Sequence, residues 1–353
     1  MNASGVSILI CTFNGKKNLS PTLEHLAVQT AIGQLEMELL VVDNASTDGT
    51  ADFVKQKWES LGSPFPLTLL SEPKAGKGNA SILGYSACKY EIIIVCDDDN
   101  WLRNDYVKNA WDIMEANPNV GVLGGKSQPY FEDKEPVWFK TQQQIFATGE
   151  QFPSNGIHTH NGFLWGAGMV FRKTAWDILK KVDYSFFLNE QRSGKLNWGG
   201  DDTELCEMIT VLGYDLYYSN TLSLQHYMPA KRMTKEYLES RYFGSGRSRI
   251  YMYAYIHCRT SNEVPGKQLK YPLWLDKYIH KTKERLQTMP KMLGKSKTEV
   301  DPEVLSYIAL KGELFELWRI KNGYSEIFEK IYALKNRIAD YKKRQKEKGG
   351  AVK

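Results

Sequence analysis

Only five of the 353 residues are cysteine, and Cys11, Cys88, Cys96, Cys206 and Cys258 include no CxxC pair. An odd set lying within mostly apolar patterns excludes a disulfide frame or a cysteine zinc site and reads as reduced core thiols. No uninterrupted apolar run approaches membrane-spanning length. Met1-Asn2-Ala3-Ser4-Gly5 has neither the basic nor the apolar region of a leader, so neither export nor a transmembrane helix is expected. Neither GxxxxGKS/T nor GxGxxG occurs, which removes the usual triphosphate and dinucleotide loops. What remains is a globular composition, 42% hydrophobic and 25% charged, long enough for one large domain with an extension or for two domains.

The net charge of +5 is unevenly spread: residues 259–297 hold ten Lys/Arg against three Asp/Glu, and residues 335–353 hold eight against two. The rest of the chain is therefore acidic. An acidic front and a basic back suit a catalytic half that binds metal and a second half that meets an anionic surface. The basic stretches are not joined to a nucleic-acid reading motif, and no nucleic-acid partner is expected.

The chain is organised around Ile92-Ile93-Ile94-Val95-Cys96-Asp97-Asp98-Asp99-Asn100. A β-branched run reads as a strand buried on both faces, and here it ends in three carboxylates. Adjacent acids repel, and a divalent cation or a solvated turn relieves them. The carboxyl edge of such a strand is where open α/β sheets hold ligands. A metal site for a phosphorylated ligand and an acidic surface turn are both consistent with the triplet alone.

Strand-turn-helix units precede it. Residues 6–11 predict a strand that breaks at Thr12-Phe13-Asn14-Gly15, followed by a helix capped by Ser20 with Pro21 at its first position. Residues 38–42 predict a second strand ending at Asp43-Asn44, then a helix through Val54 and Trp58. Residues 67–70 predict a third, followed by a loop with Lys77 and a helix through Ile82 and Tyr85. Alternating strands and helices give a mainly parallel sheet with helices on both faces, and put Thr12, Asp43 and Asp97 to Asp99 on one edge. After a helix over Val107 to Met114 come a strand at 120–123, a loop-rich stretch at 127–163 and a strand over Trp165 to Phe171. Asp201 and Asp202 stand at the N-terminus of a helix with Leu205, Ile209 and Leu212 on its apolar face; a plain helix cap reads the same way. Leu216 to Tyr218 is the expected last core strand. An aromatic, basic, mainly helical region runs on to the end, with Arg241 and Arg247 as candidate phosphate contacts.

In order, VSILICTFN, VVDNASTDGT, KAGKGNA, IIIVCDDDN, WGAGMVF and GGDDTELC resemble the family 2 glycosyltransferases of the GT-A fold, over about residues 5–230. The resemblance implies a catalytic domain over 1–230 and a helical extension over 231–353. It implies inverting transfer of a hexose or N-acetylhexosamine from a UDP-sugar to a glycan or lipid-linked saccharide, in cell-surface polysaccharide assembly. Thr12 and Asn14 then touch the nucleoside and Asp43 the uracil ring. Asp97 and Asp99 are the ends of a DxD motif, with Asp99 on Mn²⁺ or Mg²⁺, Asp97 in the metal shell and His226 as a further ligand. Lys77 meets the diphosphate, and Asp98, Trp165, Asp201 and Arg247 complete the donor site. Trp198 flanks the sugar.

Asp202 aligns with the general base, which takes the acceptor hydroxyl's proton on the face opposite the leaving group. The family more often has glutamate where this chain has Asp201. The competing readings are a noncatalytic subunit that keeps the fold and a nucleotidyltransferase of related fold. The segment from Lys267 to Lys281, with Trp274 and Tyr278 among its lysines, suggests peripheral attachment of a cytoplasmic protein to the inner face of the membrane.

Overall fold

The structure is a computed structural model describing residues 2–159, 162–186, 188, 199–260, 279–280, 282–287, 300–320 and 324–350. Trp198 and, except for Ile279 and His280, the segment from Lys267 to Lys281 lie outside the described residues. The chain divides into two compact units, one of Met1–Lys134, Phe146–Lys181 and Asp201–Ala230, the other of Glu135–Ile145, Val182–Gly200 and Lys231–Lys353.

The first unit begins with β1 (Ala3–Thr12), α1 (Leu19–Ala27), β2 (Met37–Asp43), α2 (Thr50–Ser60), β3 (Leu67–Ser71), α3 (Lys77–Ala87) and β4 (Tyr90–Val95). The apolar runs explain this order. Ile8, Leu9 and Ile10 of β1, Leu39 to Val42 of β2 and Ile92 to Ile94 of β4 are all at most 1% exposed, as strands covered on both faces must be. Each returning helix contributes a stripe, such as Leu19, Leu23 and Leu26 of α1 or Val54 and Trp58 of α2. Helix α1 starts at Leu19, ahead of the expected Ser20 cap, because Asn18 and Leu19 already donate to Gly15 O.

Then follow β5 (Asn100–Leu102), α4 (Tyr106–Ala116), β6 (Val120–Phe131), β7 (Gly156–Ile157), β8 (Val170–Arg172), α5 (Lys173–Lys181), α6 (Asp201–Val211) and β9 (Asp215–Met228). The sheet order is β3-β2-β1-β4-β8-β6-β9-β5, with β7 also on β9. The long ladders β1–β2, β1–β4, β2–β3 and β6–β9 are parallel, and short antiparallel ladders join β8 and β5 to them. The sheet is thus mainly parallel, as expected.

Three sequence expectations are corrected. The strand expected over Trp165 to Phe171 is only Val170–Arg172, because Met169 N turns back to Gly166 O and Gly168 is left-handed (φ 72°). The strand beginning at Val120 continues through residues 127–131, held by β9 along its whole length. His226 does not follow the last core strand but lies inside it, paired with Asn100 of β5.

The second unit contains α7 (Lys235–Thr260), α8 (Pro302–Ile320) and α9 (Tyr324–Gly350), with α7 packed on α8 and α9. Gly246 and Gly312 bring α7 and α8 so close that an added Cβ would come within 1.9 Å of Ala309 O and 2.2 Å of Phe243 O, respectively. Among the described residues no helix is long and apolar enough to cross a membrane.

Candidate functional site

The register of the sheet assembles the first part of the site. Thr12 of β1 is paired with Asp43 of β2, and Cys96 N donates to Leu9 O, carrying the β1–β4 ladder up to the three acids. Thr12, Asp43 and Asp97 therefore emerge at one sheet edge. The loops beyond them are tied together. Asn14, in a left-handed conformation (φ 51°), accepts from Thr47 N at 2.8 Å and donates its own N–H to Ser46 Oγ at 2.9 Å. Asp43 Oδ1 accepts from Ser46 N at 3.1 Å.

The acidic triplet divides three ways. Asp97 Oδ1 receives the Lys77 ammonium at 2.6 Å. Asp98 turns inward, where Thr12 Oγ1 donates to its carboxylate at 2.6 Å and Thr22 Oγ1 to its carbonyl at 2.8 Å. A Cβ on Gly15 would stand 2.0 Å from Thr12 Oγ1 and 2.7 Å from Asp98 Oδ2, so this clamp closes only over glycine. Burial pushes the Asp98 carboxyl up to about 6; Asp99 pushes the same way against the Thr12 hydroxyl, and Asp97 adds to the rise. Asp99 is 5% exposed. Its Oδ1 accepts from Asn100 Nδ2 at 3.2 Å and lies 3.5 Å from His226 Nε2, while its carbonyl accepts from Tyr227 N at 2.8 Å.

Lys77 is the first residue of α3 and not a loop lysine. Its position depends on Asn44, which is 4% exposed. Asn44 Nδ2 donates to Glu72 O and Lys74 O at 3.0 and 2.8 Å, and its Oδ1 accepts from Gly76 N at 2.7 Å.

The second part comes from α6. Asp201 and Asp202 form its first turn, as expected. Asp202 Oδ2 accepts from Gly166 N at 2.9 Å and Oδ1 from Thr203 N at 2.8 Å. Burial pushes this carboxyl above the usual carboxylate range and Asp201 adds to it, against the two N–H groups and the Lys77 ammonium. The field of the Lys77 ammonium at the start of α3 thus reaches the carboxylates at the start of α6. Trp165, beside this contact, is 8% exposed and anchored by its N–H to Gln151 Oε1 at 3.0 Å.

Arg247 is held elsewhere. It is 3% exposed on α7, with Nε and Nη2 each 2.7 Å from Glu316 Oε2 of α8, and it stacks 5.0 Å from the Phe315 ring centre. Asn44, Asn100, Thr22 and Gly166 were not singled out from sequence. Asn44 directly follows the strand-end carboxylate Asp43 and Asn100 the last acid of the triplet, which is the signal that marks them; nothing local marks Thr22 or Gly166.

For a divalent cation the donor set is two oxygen-bearing acids and an imidazole. Among the described residues no group of three or more His, Cys, Asp or Glu is gathered closely enough to hold a metal. The Asp99–His226 pair is the nearest arrangement, Asp97 being engaged by Lys77. His226 Nδ1 is buried with no hydrogen-bond partner among the described residues. One or two protein ligands beside substrate phosphates is how Mg²⁺ and its relatives are commonly held, so these residues fit such an ion.

Comparison with known proteins agrees with the geometry. Over 179 residues the chain is 24% identical to an uncharacterised glycosyltransferase of Nostoc sp., covering 50% of this chain and 52% of that protein. Over 138 residues it is 25% identical to the poly(ribitol-phosphate) beta-N-acetylglucosaminyltransferase TarS of Staphylococcus aureus, covering 37% and 24% respectively. The chain thus spans about half, or less, of these curated relatives. Among solved structures, the fold is similar to a Pyrobaculum calidifontis mannosyltransferase in complex with GDP-Man and Mn²⁺, with TM-score 0.53 and 16% identity over 96% of this chain and 88% of that one. It is also similar to S. aureus TarS in complex with UDP-GlcNAc, with TM-score 0.51 and 15% identity over 91% and 92%. Residues 7–179, which carry β1 through most of α5 and the acidic triplet, match the model of Glycosyl transferase family 2, and the chain belongs to that family.

Proposed function

We propose that the protein is an inverting, metal-dependent glycosyltransferase that moves a hexose or N-acetylhexosamine from a UDP-sugar to a glycan or lipid-linked saccharide of the cell surface. The observation that carries this reading is the placement of Asp202: a half-buried carboxylate fixed by two backbone N–H groups at a helix start, on which the Lys77 ammonium of the Asp97 pair also acts. A transfer with inversion needs a base on one side of the sugar and positive charge on the other.

In this reading Thr12, Asn14 and Asp43 receive the nucleoside, and Lys77 meets the diphosphate, exchanging Asp97 for phosphate oxygens. Asp98 holds the β1 loop in place through Thr12. Asp201 and Trp165 border the sugar. Asp202 takes the proton from the acceptor hydroxyl as that oxygen attacks. Asp99, with His226 and Asp97, would hold a Mn²⁺ or Mg²⁺, which would supply a hard Lewis acid for the departing diphosphate. Arg247 is left out of the donor set, because Glu316 already engages its guanidinium.

Calorimetric titration with UDP, GDP, CDP and ADP, each with and without Mn²⁺, tests the assignment. Selective, metal-dependent UDP binding that His226→Ala weakens supports it. Selective GDP binding keeps the family and discards the donor. Absence of nucleotide binding, with no transfer from UDP-sugars, removes the catalytic reading.

A further inference from the structure

Helix α8 buries two acids and exposes aromatic side chains. Its buried face carries Leu305, Ala309, Leu310 and Leu317, but also Glu313 and Glu316, both 0% exposed. Arginines of α7 meet these acids, Arg249 Nη1 at 2.5 Å from Glu313 Oε1 and Arg247 Nη2 at 2.7 Å from Glu316 Oε2. Tyr251 and Arg319 complete the set around Glu316. The opposite face is where the large apolar side chains stand: Tyr307 is 39% exposed, Phe315 44% and Trp318 67%.

These three are not scattered. At 3.6 residues per turn, Val304, Tyr307, Ile308, Lys311, Leu314, Phe315 and Trp318 fall within a stripe about 120° wide. Val304, Ile308 and Leu314 are half-buried within it. Between 304 and 319 no carboxylate is exposed, while Lys311 and Arg319 are. An ordinary surface helix turns its acids outward and its aromatics inward; here the acids are neutralised inside and the solvent face is aromatic and cationic.

We propose that the Tyr307–Phe315–Trp318 face of α8 docks on an anionic lipid bilayer surface. Tyrosine and tryptophan combine an apolar body with a polar edge and settle at the headgroup level, where lysine and arginine are drawn to acidic lipids. Withdrawal of Glu313 and Glu316 into the helix pair removes the repulsion that a carboxylate on this face would meet. In the same unit α9 exposes Lys342, Lys343, Arg344 and Lys346 against Asp340 and Glu347, a net further attraction to such a surface. A second copy of the chain fits the face less well. Lys311 sits at the middle of the stripe, so two-fold antiparallel pairing of residues 304–319 sets one Lys311 against the other.

The test is co-sedimentation of the full chain with phosphatidylcholine vesicles, with and without phosphatidylglycerol. Binding is expected to need phosphatidylglycerol and to weaken as salt rises. It is expected to fall at least about tenfold in the Tyr307→Ser/Trp318→Ser pair, measured at a temperature where a cooperative melt shows the pair to be fully folded. Lys311→Glu is expected to weaken it as well. Failure of the wild type to bind phosphatidylglycerol vesicles, or equal binding by the paired variant, overturns the proposal. A concentration-dependent dimer in sedimentation velocity that the same pair abolishes also overturns it, and gives the face to a second copy.

Discussion

Asp202 Oδ2 lies 2.9 Å from the main-chain nitrogen of Gly166, and a Cβ added to Gly166 would stand 3.2 Å from the Asp202 Cβ. The glycine is therefore what allows the backbone close enough to donate. Gly166→Ala is expected to push the carboxylate aside by a few tenths of an ångström. A displacement near the reacting atoms lowers turnover steeply, here by about tenfold to a hundredfold in kcat. Donor affinity is expected to change little, because the proposed nucleoside contacts lie at the ends of β1 and β2 and in the loop after β1. Steady-state kinetics with a UDP-sugar separates the two; a loss confined to KM would remove Asp202 from the chemistry.

Asp202→Asn keeps an oxygen for the Gly166 N–H but turns its NH2 toward the Thr203 N–H and has no basic carboxylate. Turnover is expected to fall by about 10²–10⁴-fold with nucleotide binding preserved. The wild-type rate should decline as pH falls through the raised Asp202 value, above where an ordinary carboxylate titrates. Stability should run the other way. Because burial and Asp201 raise this carboxyl in the folded state, the native protein holds the proton to higher pH than the unfolded chain does. The Asp202 contribution to stability is then unfavourable above the folded-state value and is relieved as pH falls toward the unfolded one. The asparagine variant, with no charge to desolvate, is expected to lack this pH dependence. Denaturant unfolding of both proteins at neutral and mildly acidic pH measures it, and an equal pH dependence in the two would contradict the burial argument.

The contrast between Asp99 and His226 shows what the sequence could tell and what it could not. The apolar run Ile92 to Val95 stopping at three acids announces a buried strand and its ligand edge, because strand burial and chain reversal are local properties. Thr12 and Asp43 could be placed beside that edge from the repeat of strand and helix alone. His226 meets Asp99 through the β5–β9 pairing, a register between segments more than a hundred residues apart that no local pattern encodes and that only the family resemblance implied. Gly166 meets Asp202 across 36 positions, and the run around it reads as a strand although it forms a turn. Arg247 looked like a phosphate contact because basic residues surround it in sequence. Its partner is Glu316, 69 positions away.

Asn44 is expected to matter more for placement than for chemistry. Its amide joins the end of β2 to Glu72, Lys74 and Gly76, and Gly76 immediately precedes Lys77 at the start of α3. Asn44→Ala removes three hydrogen bonds whose partners lie on half-buried or exposed residues that water can reach, at a cost of about 1–3 kcal/mol. The Lys77–Asp97 pair then loses its fixed start point. The variant should bind UDP more weakly while Asn44→Asp, which keeps the acceptor for the Gly76 N–H, recovers part of that affinity. Calorimetry on both variants, with denaturant melts alongside, distinguishes this positioning role from a purely structural one; equal UDP affinity in all three proteins would exclude it.

Arg247 offers the opposite case, a basic residue expected to leave donor binding untouched. Its guanidinium is 3% exposed and bonds Glu316 through Nε and Nη2, while Glu316 is itself 0% exposed and also bonds Tyr251 and Arg319. Breaking a buried pair from one side leaves a charge in a place that water cannot reach, which costs about 3–5 kcal/mol. Tyr251 and Arg319 still neutralise part of the Glu316 charge, so Arg247→Met is expected near the lower end of that range. The affected element is the α7–α8 packing, and a denaturant melt should show it. UDP affinity at a temperature where the variant is fully folded should equal that of the wild type. A variant that kept its stability and lost the nucleotide would instead return Arg247 to the donor site.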